Sequence, residues 1–530
     1  MLSLLGLVLL AVEPGVVEPL APPPASLPSA AGPAAAPAPV AAPQLAPAPV
    51  LAPPFESREP RKNYLLATLE TAFIFGVGTV WYWDSTWYSS GWDLRFTWPD
   101  WGAKFDLNAV RLDADRFDTN AKSHPRAGLY YYQAARGNGL GFWKSYLWVW
   151  VTSVLWEYGV EFNEFPSIND MIFTPQGGVS VGEPTYRLGR FFDAGSPTFA
   201  NRLGALIFSP FSVIDDWSSG RHQPRGPTDE WGFPLAFGHR FSFELAGLES
   251  ILDGQRAPLG AMTIDTALVS HLGYRRPGHG WETVAPGEWT ELGVRLLYGS
   301  HGGIQGFDLH SSTLVAGRYF RNYEELVPDG ISRRDNLRGW GAMLGLGTAF
   351  DYTSRNLATG PDKVAGMGIV GPMVEIASER GRAGLRFSMQ TYYSFAQVDS
   401  LVYAAYGDPL TSAAYEINTP LRQQGYYYGQ GLSSLSTLVA RLGDFELSLM
   451  TSLAAYWSIN FRDRYQENLR NELEVSDTRA SGAVAAGYRP GGGPLRLSAR
   501  IEHYERTGEL QGKSAVSLET RAGVGVAFVF

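Results

Sequence analysis

The run from Ala515 to Phe530 constrains this chain more than any other stretch. One parity of positions reads Val516, Leu518, Thr520, Ala522, Val524, Val526, Phe528 and Phe530. The other reads Ser517, Glu519, Arg521, Gly523, Gly525, Ala527 and Val529. Strict alternation marks a strand with one apolar and one polar face, long enough here to cross a bilayer obliquely. The period recurs upstream. Phe445, Leu447, Leu449, Thr451, Leu453, Ala455, Trp457, Ile459 and Phe461 alternate with Glu446, Ser448, Met450, Ser452, Ala454, Tyr456, Ser458 and Asn460; Leu495, Leu497, Ala499 and Ile501 alternate with Arg496, Ser498, Arg500 and Glu502. Charges on one parity and apolar residues on the other suit a hydrated lumen facing one way and lipid facing the other. A soluble sandwich would hide the apolar side in strands of about five or six residues.

From about Gly238 onward the pattern predicts about twelve strands, near 239–249, 259–275, 289–300, 308–319, 338–353, 364–379, 384–399, 423–441, 445–460, 476–489, 495–507 and 514–530. An even number suits a single-chain bacterial barrel. The count carries a range of about 10 to 14, because 320–337 is long where a short turn is due. Short turns at Arg380 to Ala383, Leu442 to Asp444 and Pro490 to Pro494 put the C-terminus on the periplasmic side. The final Phe after apolar residues at every second position resembles the assembly signal of bacterial outer-membrane β-barrel proteins. That resemblance implies an outer-membrane location, with outer-membrane lipid and the barrel assembly machinery as partners.

Composition narrows the classes further. The chain is 45% hydrophobic with mean hydropathy −0.12, which excludes a helical membrane protein of many spans. A net charge of −9 without a Lys/Arg-rich run argues against nucleic acid as a partner. The absence of Cys fits an oxidising envelope.

Four regions follow. Residues 1–12 contain an apolar run, Leu2 to Val12, like the h-region of a signal peptide, though without a preceding Lys or Arg. Residues 13–61 are Ala/Pro-rich and read as an extended linker without a packed core. Residues 62–235 form a helical domain and 236–530 the barrel. Within the helical domain, Asn63 to Trp83 is long enough for a membrane helix, but Glu70, Gly76 and Gly78 favour a buried helix of that domain. Ala127 to Arg136 and Gly141 to Phe162 read as helices; the second carries Trp143, Trp148, Trp150 and Trp156, so other elements or lipid must enclose it. Glu157, Glu161 and Glu164 share one stripe, and Pro166 ends that helix or lies just past it. The fold class expected is therefore mainly β: an antiparallel transmembrane barrel with an α-helical N-terminal domain whose helices plug or cap it.

The segment from Asp113 to Glu183 concentrates the chemically capable side chains. It includes Asn120, His124-Pro125, Tyr131-Tyr132, Ala135-Arg136, Trp156-Glu157-Tyr158, Pro166-Ser167, Asp170, Gly177-Gly178 and Gly182-Glu183. This order resembles a family of uncharacterised bacterial envelope proteins defined by that pattern, a domain of unknown function attached here to a barrel. Besides a pocket for a ligand or lipid headgroup, three readings of the residues stand. His124, Glu157 and Glu161 suit general acid–base or catalytic work. Carboxylates with one His suit a divalent metal such as zinc or manganese. The third is a buried network in which Glu157 and Glu161 accept from Arg136, His124 and Asn120, with Asp170 and Glu183 as further network or ligand residues. Arg136 also reads as a cap at its helix end. HExxH is absent, and no motif fixes a cofactor or a metal. Gly177, Gly178 and Gly182 read as tight packing or turn positions rather than as an anion loop. Two roles follow: a barrel binding or passing a small or lipidic solute with the helices as plug, or a barrel-anchored enzyme acting on an envelope lipid or cell-wall component.

Overall fold

Alternating segments pair with their neighbours into one antiparallel sheet, because every backbone polar group at membrane depth needs a partner within the protein. In this computed structural model the structure describes residues 62–90, 96–220, 226–299, 303–326, 336–357, 360–406, 420–421, 425–459, 461–463 and 473–530. The signal-like run and the Ala/Pro-rich stretch lie outside the described residues. The strands are β1 (Gly238–Leu252), β2 (Gln255–Val269), β3 (Gly278–Val284), β4 (Trp289–Gly299), β5 (Ile304–Glu325), β6 (Leu337–Leu357), β7 (Gly360–Arg380), β8 (Ala383–Asp399), β9 (Tyr426–Leu442), β10 (Phe445–Ser458), β11 (Val475–Tyr488), β12 (Leu495–Leu510) and β13 (Lys513–Val529). They form one 13-stranded sheet that closes through pairing of β5 with β6 and of β1 with β13. Strands β3 and β4 pair with successive parts of β5, so together they fill one place and the wall is twelve strands round. This resolves the long segment after residue 320: β5 continues to Glu325 so that its last third pairs with β3.

Ion pairs across the lumen fix the inward parity. Arg295 of β4 reaches Glu502 of β12 (2.8 Å), Arg355 of β6 reaches Glu519 of β13 (2.6 Å), and Arg479 of β11 reaches Asp362 of β7 (2.6 Å). The opposite parity is greasy and open on β10 to β13, where Leu449, Ile501 and Val524 are 45%, 61% and 68% exposed. A closed barrel with such an exterior is a membrane-spanning barrel.

The helices are α1 (Tyr64–Ser90), α2 (Trp98–Ala103), α3 (His124–Gly137), α4 (Phe142–Leu155), α5 (Ile168–Ala194), α6 (Phe199–Phe208), α7 (Pro210–Ser218) and α8 (Leu401–Tyr406). π-Helical turns at Thr119–Ser123 and Trp156–Val160 lead into α3 and out of α4. Pro166 lies past that second turn.

Parity places α5 outside the barrel, which corrects the expected plug. Phe243 faces lipid and pairs with Ile264, which pairs with Val294; Val294 pairs with Leu309, Leu309 with Tyr352, Tyr352 with Ala365, Ala365 with Gln397 and Gln397 with Tyr428. All therefore point outward. From Val294 onward these side chains are buried, and all but Gln397 share one cluster with Phe173, Val181, Leu188 and Phe191 of α5. The helices are a sheath on the outer wall that begins at Phe241 of β1 and Leu268 of β2 and runs through β4 to β9. The lumen was the natural guess because it holds the charges, but the helices carry apolar faces and bury them against the apolar parity.

The sheath is itself greasy outside. Leu65, Leu69, Phe73, Val77 and Val80 of α1, and Trp143, Leu147, Trp150 and Leu155 of α4, are exposed at helical spacing. Helix α1 is long and apolar enough to cross a membrane and is mostly uncovered. The expectation of a buried helix there is overturned by that exposure; Glu70 is accommodated by the Asn138 side-chain amide, which donates to it at 2.6 Å.

Candidate functional site

Helices α3 and α5 approach so closely that side chains are excluded from the seam. A Cβ on Gly128 would lie 1.8 Å from the Thr174 carbonyl oxygen, one on Gly177 2.4 Å from Pro125 Cα, and one on Gly182 2.9 Å from the Tyr132 ring. Small residues at such seams let helix backbones meet, the form of association available where lipid supplies no hydrophobic drive. Arg136 and Glu183 sit at one end of this seam. Fully buried Glu183 accepts from Tyr132 Oη (2.8 Å), from Arg136 Nε and Nη2 (both 2.8 Å) and from Arg187 Nε (2.7 Å). Arg136 also donates to the Leu140 carbonyl, so it ties three segments together rather than only capping its helix. This carboxylate is saturated, and its chemistry is spent on docking.

At the other end of the seam lie Asp113, Asn120, His124 and Asp170. The Ser167 hydroxyl accepts from the Asp170 amide and starts α5. Asn169 Oδ1 accepts from the Asp113 amide (2.7 Å) and from Ser167 Oγ (2.9 Å), while its Nδ2 donates to Asp170 Oδ1 (2.8 Å). His124 Nε2 lies 3.3 Å from Asp170 Oδ1, and its Nδ1 lies 3.3 Å from Thr174 Oγ1. One potential ligand atom each from Asp113, His124 and Asp170 falls within 4.8 Å of the others. Asn120 Nδ2 donates to the Tyr428 hydroxyl (2.6 Å) on the outer face of β9. Leu112 pairs with Asp463 beyond β10, so the cluster sits at the barrel rim opposite the C-terminus.

Glu157 and Glu161 form an adjoining set with Asp170, again within 4.8 Å and all buried. Their partners differ from the expected ones. Glu157 Oε2 accepts from the Ser167 amide (2.7 Å), and Glu161 Oε1 from Trp156 Nε1 (2.9 Å). Lys104 donates to the main-chain carbonyls of both, at 2.7 Å for Glu161. Glu164 leaves the stripe to accept from Tyr82. Arg136 is engaged with Glu183 and Asn120 with the β9 tyrosines, while Asp170 belongs to both carboxylate sets. Sequence reasoning missed Lys104 and Asn169 as their scaffolding; only the S-x-N-D order before an apolar run hinted at it.

The lumen is a second candidate. It retains a cavity of about 300 Å³ lined by residues including Asp265, Asp308, His310, Asp351, Arg479 and Arg521. Arg521 lies over the Tyr504 ring at 4.2 Å, and Arg295 donates to that tyrosine's hydroxyl at 3.2 Å.

Residues 109–211 match the model of DUF3943, a domain of unknown function. That span runs from just before Asp113 through α6, so the family resemblance read from the sequence falls on the sheath. No curated protein matches. Among solved structures, the NanC porin is 10% identical over 54% of this chain and 98% of its own (TM-score 0.23). The translocator domain of the autotransporter NalP from Neisseria meningitidis is 13% identical over 55% and 88% (TM-score 0.19). A loop-deletion form of OmpT, an outer membrane protein of Vibrio cholerae, is 9% identical over 56% and 100% (TM-score 0.18). Likenesses this distant carry no argument, and the architecture rests on the strand pairing itself. The closed antiparallel wall and its lipid-facing band make this a bacterial outer-membrane β-barrel protein.

Proposed function

We propose that the barrel binds and passes a small polar solute through its lumen. The observation that carries this is the cavity of about 300 Å³ that opens among cross-lumen ion pairs. Its volume is at the low end for ligand pockets, which fits a solute of few heavy atoms. Arg295, Arg479 and Arg521 with Asp265, Asp308 and Asp351 supply partners for the polar groups of such a solute, while Leu297, Leu435 and Met450 line the rest. The helices take no part as a plug in this reading; they cover the outer wall, with outer-membrane lipid around them, and the barrel assembly machinery inserts the whole. An enzyme working through His124, Glu157 and Glu161 draws less support, since His124 converges with Asp113 and Asp170 while the glutamates accept from Ser167 and Trp156.

Conductance of the purified full chain in planar bilayers tests the passage. Small, discrete events are expected for the wild type. The double variant Arg295→Ala/Glu502→Ala, which removes one bridge across the lumen without stranding either charge, should conduct several-fold more. Silence in both proteins, with the barrel folded by its heat-dependent gel mobility, would overturn the proposal.

A further inference from the structure

We infer that Asp113, His124 and Asp170, with the Asn120 side-chain carbonyl, form a divalent-cation site at the rim where the sheath meets β8 and β9. The donor set is two carboxylates, one imidazole and one amide oxygen, which suits zinc or manganese better than a softer metal. Ligand atoms around a zinc-sized ion stand about 3–3.5 Å apart. The three atoms within 4.8 Å therefore need only a small inward movement.

The surrounding shell prepares these groups. Thr174 Oγ1 lies 3.3 Å from Nδ1, and the tautomer in which it accepts from that nitrogen presents Nε2 to a cation beside Asp170. Asn169 holds the Asp113 backbone and the Asp170 carboxylate at once. Asp113 Oδ1 accepts from the Asp115 amide at 3.1 Å, which orients the carboxylate.

A second observation points to a ligand here. Asn120 is fully buried, and among the described residues its Oδ1 finds no donor while its Nδ2 donates to Tyr428. Asn120 lies one turn before His124, on the same side of the helix. Gln397 stands beside Tyr428 in the β8–β9 ladder, also fully buried and facing the helices, and neither polar atom of its amide has a partner. The orphan carbonyl of Asn120, one turn from His124, is costly in a dry contact unless something polar meets it. A cation held by the neighbouring carboxylates and imidazole supplies that partner. The adjoining Glu157–Glu161–Asp170 set lacks such orphan amides and an imidazole.

The test uses the purified full chain in detergent, stripped with chelator and then offered Mn²⁺ or Zn²⁺ alone. One ion per chain is expected by elemental analysis, with ¹⁴N coupling from one imidazole in the pulsed EPR spectrum of the Mn²⁺ form. His124→Ala and Asp113→Asn should each bind roughly 100-fold more weakly or worse, with barrel gel mobility and helical circular dichroism retained. Absence of stoichiometric binding of either ion would overturn the inference, as would Mn²⁺ bound without nitrogen coupling or with unchanged affinity in both variants. Should either variant unfold the sheath, the wild-type nitrogen coupling decides by itself.

Discussion

The docking of α3 on α5 gives a prediction whose sign depends on geometry rather than on helix propensity. Replacing a helical Gly by Ala stabilises by about 1 kcal/mol through the backbone alone. Gly76 of α1, which would have nothing within 4 Å of an added Cβ, should show that gain. Gly128 should not. Its Cβ would lie 1.8 Å from the Thr174 oxygen and 2.9 Å from the Gly178 nitrogen, both backbone atoms that no rotamer change can move. Restoring ordinary contact requires the helices to part by on the order of 1.5 Å, enough to forfeit much of the dispersion along the seam. Overpacking against fixed atoms costs ~1–3 kcal/mol and sometimes more; here it falls at the upper end, so Gly128→Ala should lose ~2 kcal/mol net. That is about a 30-fold shift toward the undocked sheath. Denaturant titration in detergent, followed by tryptophan emission for the helices and by gel mobility for the barrel, separates the two layers. A Gly128→Ala protein as stable as the wild type, beside a Gly76→Ala protein that gains, would refute the close seam.

Two further outcomes follow from buried charges. Glu183→Gln leaves Arg136 and Arg187 facing a neutral amide, and breaking a buried pair this way should cost roughly 3 kcal/mol in the same titration; a change below about 1 kcal/mol would show that the pair is dispensable. His271, in the segment between β2 and β3, is pushed down by burial but more strongly up by its hydrogen bonds to Glu288 and Glu282, so its net shift is upward. A raised folded-state value means that its stabilisation is complete below the ordinary histidine range and fades as pH rises through the shifted value. The wild type should therefore resist heat better at pH 6 than at pH 8.5 by a margin that His271→Ala abolishes, and an equal margin in both proteins would remove His271 as its source.

Much of the barrel was legible because a lipid exterior and a wet lumen impose a period of two that few other folds need over such lengths. The helices were harder. Helix α5 escaped notice since Pro175 and Pro184 lie inside it and Gly177, Gly178, Gly182 and Gly189 dilute its propensity. Tertiary contacts repair both faults. The glycines make the seam with α3, and the Ser180 carbonyl, deprived of its donor by Pro184, accepts from Ser311 Oγ of β5 at 2.6 Å. His124 and Asp170 were named from the sequence as capable residues, and the structure brings them together. That Arg136 would turn to Glu183 and leave Glu157 was not readable, because helix order within the sheath is invisible to spacing alone.

One signal for the sheath was nevertheless present in the strands. On β10, β12 and β13 the outward parity reads Leu447, Leu449, Leu453, Leu497, Ile501, Val524 and Val526, all exposed. On β5, β6, β8 and β9 the same face carries Ser311, Thr348, Gln397, Tyr426 and Tyr428, all buried. Hydroxyls and amides turned toward hydrocarbon are costly unless a protein partner meets them. Here one does: Gln176 of α5 donates to Thr348 and to the Gly368 carbonyl at 3.1 Å, where the β7 register slips, and Asn120 meets the two tyrosines. The apparent lapse in alternation is thus the footprint of the helices. Polar residues confined to the outward parity of adjacent strands imply a cover on that side of a barrel, and the lumen can remain open to solute while the wall is sheathed.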